Sequence, residues 1–369
     1  MERALARIDF DAVRRNCARL VAELGEGPEL CAVVKADGYG HGADGSATAA
    51  VAGGATRLAV ATAREAEHIG RRFQHIPLLT MGALTAEEVD IVLSAGSEVA
   101  VWRSGFLRLL AERARAQGRP ARVHVKYDSG MGRLGNPDPG EVLALARACD
   151  ADPHLELDAV WTHFATADEP DSAFFDEQLR RFAAVAEAVK AEFPAVTAHA
   201  ANSAAVFRDR RAHFDMVRCG VAIYGLDPFQ DDPGERGLAP ALSLRSYVAD
   251  VKRFPPGASA GYGQRWVAER ETMVGVIPLG YGDGVRRGLT NNAEVLVRGR
   301  RHPLVGTVSM DNITIELGLE TEVEPGDEAV LIGSQGEEEI RAEELAARLG
   351  TINYEITCGI SSRVPRRAA

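Results

Sequence analysis

Ala32-Val33-Val34-Lys35-Ala36-Asp37-Gly38-Tyr39-Gly40-His41-Gly42 runs from an apolar β-type segment into a lysine and then into a glycine-rich turn. A buried ammonium is costly. A lysine leaving a hydrophobic strand therefore has a depressed pKa, an anionic partner or a covalent carbonyl adduct. On spacing alone, an ion pair between Lys35 and Asp37 and a covalent adduct at Lys35 stand level. The turn is not a dinucleotide fingerprint, because its glycines do not follow G-x-G-x-x-G and no matching acidic residue follows a second strand.

Outward from this stretch, short runs rich in Val and Ala alternate with alanine-rich, charge-faced segments of helical length, the pattern of repeated βα units. Candidate strands cover residues 29 to 36, 58 to 62, 77 to 82, 99 to 102, 121 to 128, 157 to 164, 196 to 201 and 216 to 224. Eight such strands predict an α/β fold, an N-terminal (β/α)8 TIM barrel with its reactive groups at the C-terminal strand ends. Lys35 ends the first run, Arg133 follows the fifth, His163 ends the sixth, Asn202 and Ser203 follow the seventh, and Arg218 lies in the eighth. The polar, turn-rich stretch Asp227-Pro228-Phe229-Gln230-Asp231-Asp232-Pro233-Gly234-Glu235-Arg236-Gly237 reads as an interdomain linker. We place a barrel domain at residues 1–230 and a smaller, mainly β C-terminal domain at 231–369, with runs at 243–251, 273–278, 293–297 and 328–332. One helix is expected there, over 341–349, with Gly350 at its end.

With 369 residues, 46% of them hydrophobic, the chain can bury a large core and support two domains. A net charge of −11 with no basic cluster argues against nucleic acid and anionic membrane as partners and leaves a small molecule. The first residues are charged, no apolar signal core follows them, and no run reaches membrane-spanning length, so a cytoplasmic protein is expected. Cys17, Cys31, Cys149, Cys219 and Cys358 are odd in number and lack Cys-x-x-Cys spacing, which speaks against a disulfide framework and against a metal site. Buried packing is the expected role of Cys31 and Cys219.

The Val-Val-Lys-Ala-Asp-Gly-Tyr-Gly-His-Gly run resembles the cofactor-lysine signature of the alanine racemases, within the wider group of barrel-type pyridoxal phosphate enzymes. Further matching segments appear in the family's order. They are Lys126-Tyr127-Asp128-Ser129-Gly130-Met131-Gly132-Arg133-Leu134-Gly135, Thr162-His163-Phe164-Ala165, Ala201-Asn202-Ser203, Arg218-Cys219-Gly220-Val221-Ala222-Ile223-Tyr224-Gly225, Gly261-Tyr262-Gly263, Gly280-Tyr281-Gly282-Asp283-Gly284, Ser309-Met310-Asp311 and Thr351-Ile352-Asn353-Tyr354-Glu355.

The resemblance implies a homodimer with shared active sites that racemises an amino acid, alanine first, and supplies D-alanine for peptidoglycan. It implies pyridoxal phosphate held on Lys35 as a Schiff base. Tyr39, Ser203, Gly220, Val221 and Tyr354 are then the phosphate ligands, with Asn202 beside them, and Arg218 faces the pyridine nitrogen. Lys35 serves one face of the substrate Cα, and Tyr262, reaching in from the partner subunit, serves the other, linked by hydrogen bonds to His163 and Arg218. A tyrosine is a poor base at neutral pH, so nearby positive charge must favour its phenolate. Arg133 holds the substrate carboxylate with the Met310 amide, Lys126 corresponds to a lysine often carbamylated in the family, and Tyr281, Asp311, Asp168 and Ile352 line the entrance.

The residues also carry plainer readings. Asn202 can merely cap a helix, Arg218 can pair with Asp215, Tyr262 can be a turn aromatic, and His163 can be a core histidine. Two departures from the family pattern stand near the substrate corridor. Position 307 is Thr where an arginine is frequent, and the loop after Gly284 is short and lacks a bulky aromatic. They open a broad-specificity or serine racemase as an alternative. A barrel-type decarboxylase is disfavoured by Arg218, and a non-catalytic cofactor carrier by the C-terminal domain.

Overall fold

The computed structural model describes residues 2–369. A short strand, β1 (Leu5–Ile8), precedes eight more: β2 (Glu29–Val33), β3 (Arg57–Val60), β4 (Leu78–Thr80), β5 (Glu98–Val101), β6 (Ala121–Lys126), β7 (Leu155–Trp161), β8 (Thr197–His199) and β9 (Met216–Cys219). Strands β2 to β9 form a closed parallel barrel, sealed where Cys31 pairs with Arg57 on one side and with Arg218 on the other. All eight predicted runs are strands, but every one ends sooner than the predicted run does. The last run stops at Cys219, and Val221–Tyr224 turn into a 3-10 helix.

Helices wrap the barrel. Two of them, Ala63–Arg72 and Ala86–Ser94, open on capping boxes in which Thr62 pairs with Glu65 and Thr85 with Glu88. Because strands inside a helical ring are covered on both faces, β3, β4 and β5 are buried at every residue. The barrel interior nevertheless holds polar side chains: Arg57, Glu98, His124, His199 and Arg218 are all buried. On β6, Arg122, His124 and Lys126 alternate and so share one face of the strand. Opposite them β7 carries a bulge. Val123 pairs with Leu157 and His124 with Ala159, which leaves Asp158 as an extra residue outside the ladder.

The chain divides into two compact units. The barrel unit comprises Val13–Gly38 and Ala43–Ile223, and the second unit gathers the N-terminal residues up to Ala12, Tyr39–Gly42 and Tyr224–Ala369. Its strands are β10 (Leu242–Tyr247), β11 (Asp250–Phe254), β12 (Thr272–Ile277), β13 (Glu294–Val297), β14 (Arg300–Pro303), β15 (Ile313–Gly318), β16 (Glu328–Gln335), β17 (Glu338–Ile340) and β18 (Arg366–Ala368). They make a seven-stranded sheet ordered β14-β13-β16-β10-β1-β18, with β17 on β16, and a three-stranded sheet β11-β12-β15. β1 belongs here because it pairs antiparallel with β10 and parallel with β18. The predicted helix spans Ala342–Leu349 and ends on a left-handed Gly350.

The stretch read as a linker is built into this second unit. Asp227 is fully buried, takes an ion pair from Arg236 at 2.6 Å, and accepts the Phe229 N–H. The five cysteines are free thiols, and all but Cys358 are buried. Burial raises the Cys31 thiol to about 12, which fits a packing role. No helix among the described residues is long and apolar enough to cross a membrane.

Candidate active site

Lys35 lies just past β2, where Val34 N–H still bonds to Ala59. The chain then makes a turn of the opposite hand to an α-helix: Ala36, Asp37, Gly38 and Tyr39 have φ of 52°, 52°, 62° and 53°. Each left-handed non-glycine residue costs about 1–2 kcal/mol, so the surroundings must hold the turn. Within the barrel unit, Glu65 accepts the Ala36 N–H at 2.7 Å with one carboxylate oxygen and the Ala61 and Thr62 N–H groups with the other. Asp37 accepts the Ala43 N–H at 2.9 Å. Gly38 N–H returns to Val34 O at 3.0 Å, and a Cβ at Gly38 would stand 2.9 Å from Ser46 Oγ. The backbone bearing Lys35 is thereby tied to the neighbouring helix starts.

Arg218 is buried on β9 and donates to neutral acceptors: His199 Nδ1 at 2.7 Å, Thr162 O at 2.9 Å, Ala200 O at 3.0 Å and His163 Nδ1 at 3.3 Å. The plainer reading of Arg218 fails, since Asp215 takes Lys190 at 2.5 Å and the Ala198 N–H instead. Burial pushes Arg218 down to about 10, which leaves it protonated at neutral pH. Beside it, Lys126 is buried with its ammonium 4.1 Å above the Trp161 ring. Burial, then the charges of Arg218 and Arg133, bring Lys126 down to about 7. Asp128 does not neutralise it. Its carboxylate accepts the Gly130 and Gly132 N–H groups and shapes the loop that carries the exposed Arg133.

His163 feels all of these cations. Burial and then the charges of Arg218, Lys126, Arg133 and Lys35 push its pKa well below the ordinary value. Three cations, Lys35, Arg133 and Arg218, and the part-charged Lys126 thus converge on one spot at the C-terminal ends of β2, β6 and β9, although the chain as a whole is acidic. After β8, Asn202 caps the short helix Ser203–Arg208 through the Ala205 N–H, as its plainer reading expects. Ser203 Oγ accepts from Gly220 N–H at 3.1 Å and from Ala222 N–H at 3.4 Å. With both lone pairs engaged, the Ser203 O–H is left as a donor. An open groove of about 420 Å³ at the opposite ends of β4 and β6, among Arg71, His75 and Arg119, contains none of these residues.

The second unit brings together its own set. Tyr39 and Tyr354 stand with ring centres 6.0 Å apart, and Tyr39 and Tyr224 at 5.2 Å. Tyr262 is 73% exposed, on a 3-10 turn between Gly261 and Gly263, and its carbonyl accepts from Thr307 Oγ1 at 2.6 Å. The loop at 309–310 is strapped to the next aromatic, with Tyr281 N–H on Ser309 O and Gly282 N–H on Met310 O, both at 2.9 Å. A Cβ at Gly280 would collide with Ser309 O at 2.3 Å, so only glycine admits this approach. Asp311 is exposed and pairs with Arg363 at 2.6 Å. Tyr281, Met310 and Ile352 are also exposed, as is Asp168 in the barrel unit.

Comparison with known proteins covers both units. Residues 8–228 match the model of the alanine racemase N-terminal domain, and residues 241–368 that of its C-terminal domain. The alanine racemase of Symbiobacterium thermophilum is 44% identical over 362 residues, 98% of this chain and 96% of that protein. The crystal structure of alanine racemase from D-cycloserine-producing Streptomyces lavendulae superposes with a TM-score of 0.94 at 36% identity, covering 100% of this chain and 97% of that one. That from Bacillus anthracis with bound L-Ala-P gives 0.89 at 35% identity, covering 100% and 95%. A lysine on a strapped turn, an arginine among neutral acceptors and two matched domains lead to one conclusion: the chain is an amino-acid racemase that belongs to the alanine racemase family.

Proposed function

We propose that this racemase interconverts L- and D-alanine on pyridoxal phosphate held at the barrel mouth, as a homodimer in which the partner subunit's Tyr262 completes each site. The observation that carries the reading is the convergence of Lys35, Arg133 and Arg218 on His163. Such a site suits a doubly anionic phosphate and a substrate carboxylate together. The cofactor, when bound, supplies the electron sink that makes the substrate Cα–H acidic. A phosphate fits the donor Ser203 O–H with the amide of Val221, and the family resemblance adds the amide of Gly220 and the phenols of Tyr39 and Tyr354.

Lys35 moves the proton on one face of Cα, and the partner subunit's Tyr262 moves it on the other. His163 accepts from Arg218 at Nδ1, so its own proton sits on Nε2, available to the phenolic oxygen. Arg218 would face the pyridine nitrogen as a donor that does not surrender its proton, which would keep that nitrogen largely unprotonated. Arg133 and the partner subunit's Met310 amide bind the substrate carboxylate. The exposure of Tyr262, Tyr281, Met310 and Ile352 supports the dimer, because such side chains on one subunit are candidates for burial by another. The D-alanine formed is a building block of peptidoglycan.

The test pairs a chirality assay with borohydride reduction of the holoenzyme. L-alanine should become racemic, and a peptide map should carry the pyridoxyl group at Lys35. A pyridoxyl group found elsewhere, or carbon dioxide release from basic amino acids in place of racemisation, overturns the reading.

Lys126 is the residue we propose to be carbamylated. Its neutral amine attacks carbon dioxide, forming the N–C bond and releasing one proton, and the resulting anion would hold Arg133. Since its pKa falls to about 7, the reactive neutral form gains as pH rises through 7, whereas an ordinary lysine needs a pH near 10.5. Labelled carbon dioxide should give a carbamate carbon signal that grows between pH 6 and 8 and disappears in Lys126→Ala. An unchanged signal in that variant rules Lys126 out.

A further inference from the structure

Below Arg218 the barrel interior contains a continuous line of polar contacts that racemisation at the mouth does not account for. Arg218 meets His199 Nδ1 at 2.7 Å, His199 Nε2 meets His124 Nδ1 at 3.0 Å, and His124 Nε2 meets Glu98 Oε2 and Asp158 Oδ2, each at 2.9 Å. His199, His124 and Glu98 have no exposed surface, and the Trp161 ring stacks on His199 at 5.4 Å. Glu98, His124 and Asp158 have the composition of a metal site, with ligand atoms within 4.8 Å of one another. The cation there is already supplied by the protein. The Arg57 guanidinium bonds to Glu98, lies 3.1 Å from Asp158 and 3.5 Å from His124 Nε2, and Arg122 pairs with the other Glu98 oxygen at 2.7 Å.

The direction of every bond in the line follows from its upper end. A guanidinium only donates, so His199 Nδ1 must accept. A neutral His199 then carries its proton on Nε2 and donates it to His124 Nδ1. His124 is left with its proton on Nε2, aimed at the two carboxylates. Burial lowers the pKa of His124, and its bonds to Asp158 and Glu98 more than offset this. A second proton on His124 would still have to sit on Nδ1, where it would meet the Nε2–H of His199. Losing the His199 proton to make room would create a fully buried imidazolate, a charge whose desolvation is costly, while burial with the Arg218 charge keeps His199 from becoming an imidazolium. His124 therefore stays neutral as well, despite its two acidic neighbours.

Resting on the function proposed above, we propose that His199, His124, Glu98 and Asp158 form one directed hydrogen-bond chain that fixes the plane and moderates the positive charge of Arg218 from beneath. His124, Glu98 and Asp158 are thus positioning residues for chemistry they do not touch. Bonds that all point the same way polarise one another, so the carboxylates make His199 a better acceptor and draw charge from Arg218. The bulge at Asp158 is what delivers the second carboxylate to the foot of the chain.

The decisive measurement is ring-nitrogen NMR on the holoenzyme labelled with 15N-histidine. His199 and His124 should each show one protonated nitrogen, Nε2, and one bare nitrogen, Nδ1, from pH 6 to pH 8. An imidazolium at His124, or a proton on Nδ1 of either ring, overturns the chain whatever the activity. Two variants add a kinetic arm. His124→Asn keeps an acceptor for His199 but loses the carboxylates, and His124→Leu removes both. Racemisation should fall in kcat with little change in KM, more for Leu than for Asn, by about tenfold on the scale of one buried hydrogen bond. An unchanged kcat in a folded His124→Leu protein also overturns the proposal. If the tautomers are as stated while borohydride leaves Lys35 unmodified, the functional reading fails and the chain stands.

Discussion

Mixing two dead variants, Lys35→Ala and Tyr262→Ala, is expected to regenerate activity. Each homodimer lacks a proton-transfer group in both of its sites, so each parent should be nearly inactive. In the mixed dimer one site carries both defects and the other carries none. With equal amounts and random exchange, about half of the dimers are mixed and about a quarter of all sites are intact, by symmetry alone. Activity should climb towards that fraction as subunits exchange. If exchange is demonstrated by mass spectrometry and the mixture stays as inactive as its parents, Tyr262 does not act across the interface, and the shared-site proposal is wrong.

Arg218→Glu should lower racemisation by about 100-fold or more, the scale on which a positioned charge at a reacting centre acts, and raise transamination. The substitution exchanges a donor for a group that accepts. A carboxylate at this position would take a proton from His199 Nδ1, His199 Nε2 would become an acceptor, and the bonds down to Glu98 would reverse or break. Arg218→Lys keeps charge and donor but loses the fork in which Nη1 meets His199 while Nη2 meets Thr162 O, Ala200 O and His163, so an intermediate loss is expected. An Arg218→Glu protein that racemises normally with no rise in transamination would remove Arg218 from control of the ring.

The eight barrel strands were legible because buried parallel strands are written as continuous Val- and Ala-rich runs. Their ends were not, since Val221 is as apolar as the residues that do pair, and only the ladder decides where pairing stops. β1 was missed for a different reason. Its four residues find their partner on β10, more than 230 positions away, and no local signal announces such a pairing. The turn after Lys35 was read as glycine-rich, yet Ala36, Asp37 and Tyr39 share its left-handed conformation because Glu65 and Asp37 fasten the neighbouring amides. At the site, Lys35, Arg133, His163 and Arg218 emerged from motifs at strand ends. His124, His199, Glu98 and Arg57 did not, although polar residues inside apolar strands, such as His124 two positions before Lys126, were the signal that would have found them.

Asp158 also bears on how such a barrel can acquire new chemistry. Since Leu157 and Ala159 already face consecutive residues of β6, Asp158 is supernumerary to the ladder. Excising it would leave the phase of both flanking segments unchanged, and every side chain before and after it would keep its side of the wall. The converse is an economical evolutionary route. One inserted codon can introduce a carboxylate into the lumen of a closed barrel without rewriting any of the positions that pack it.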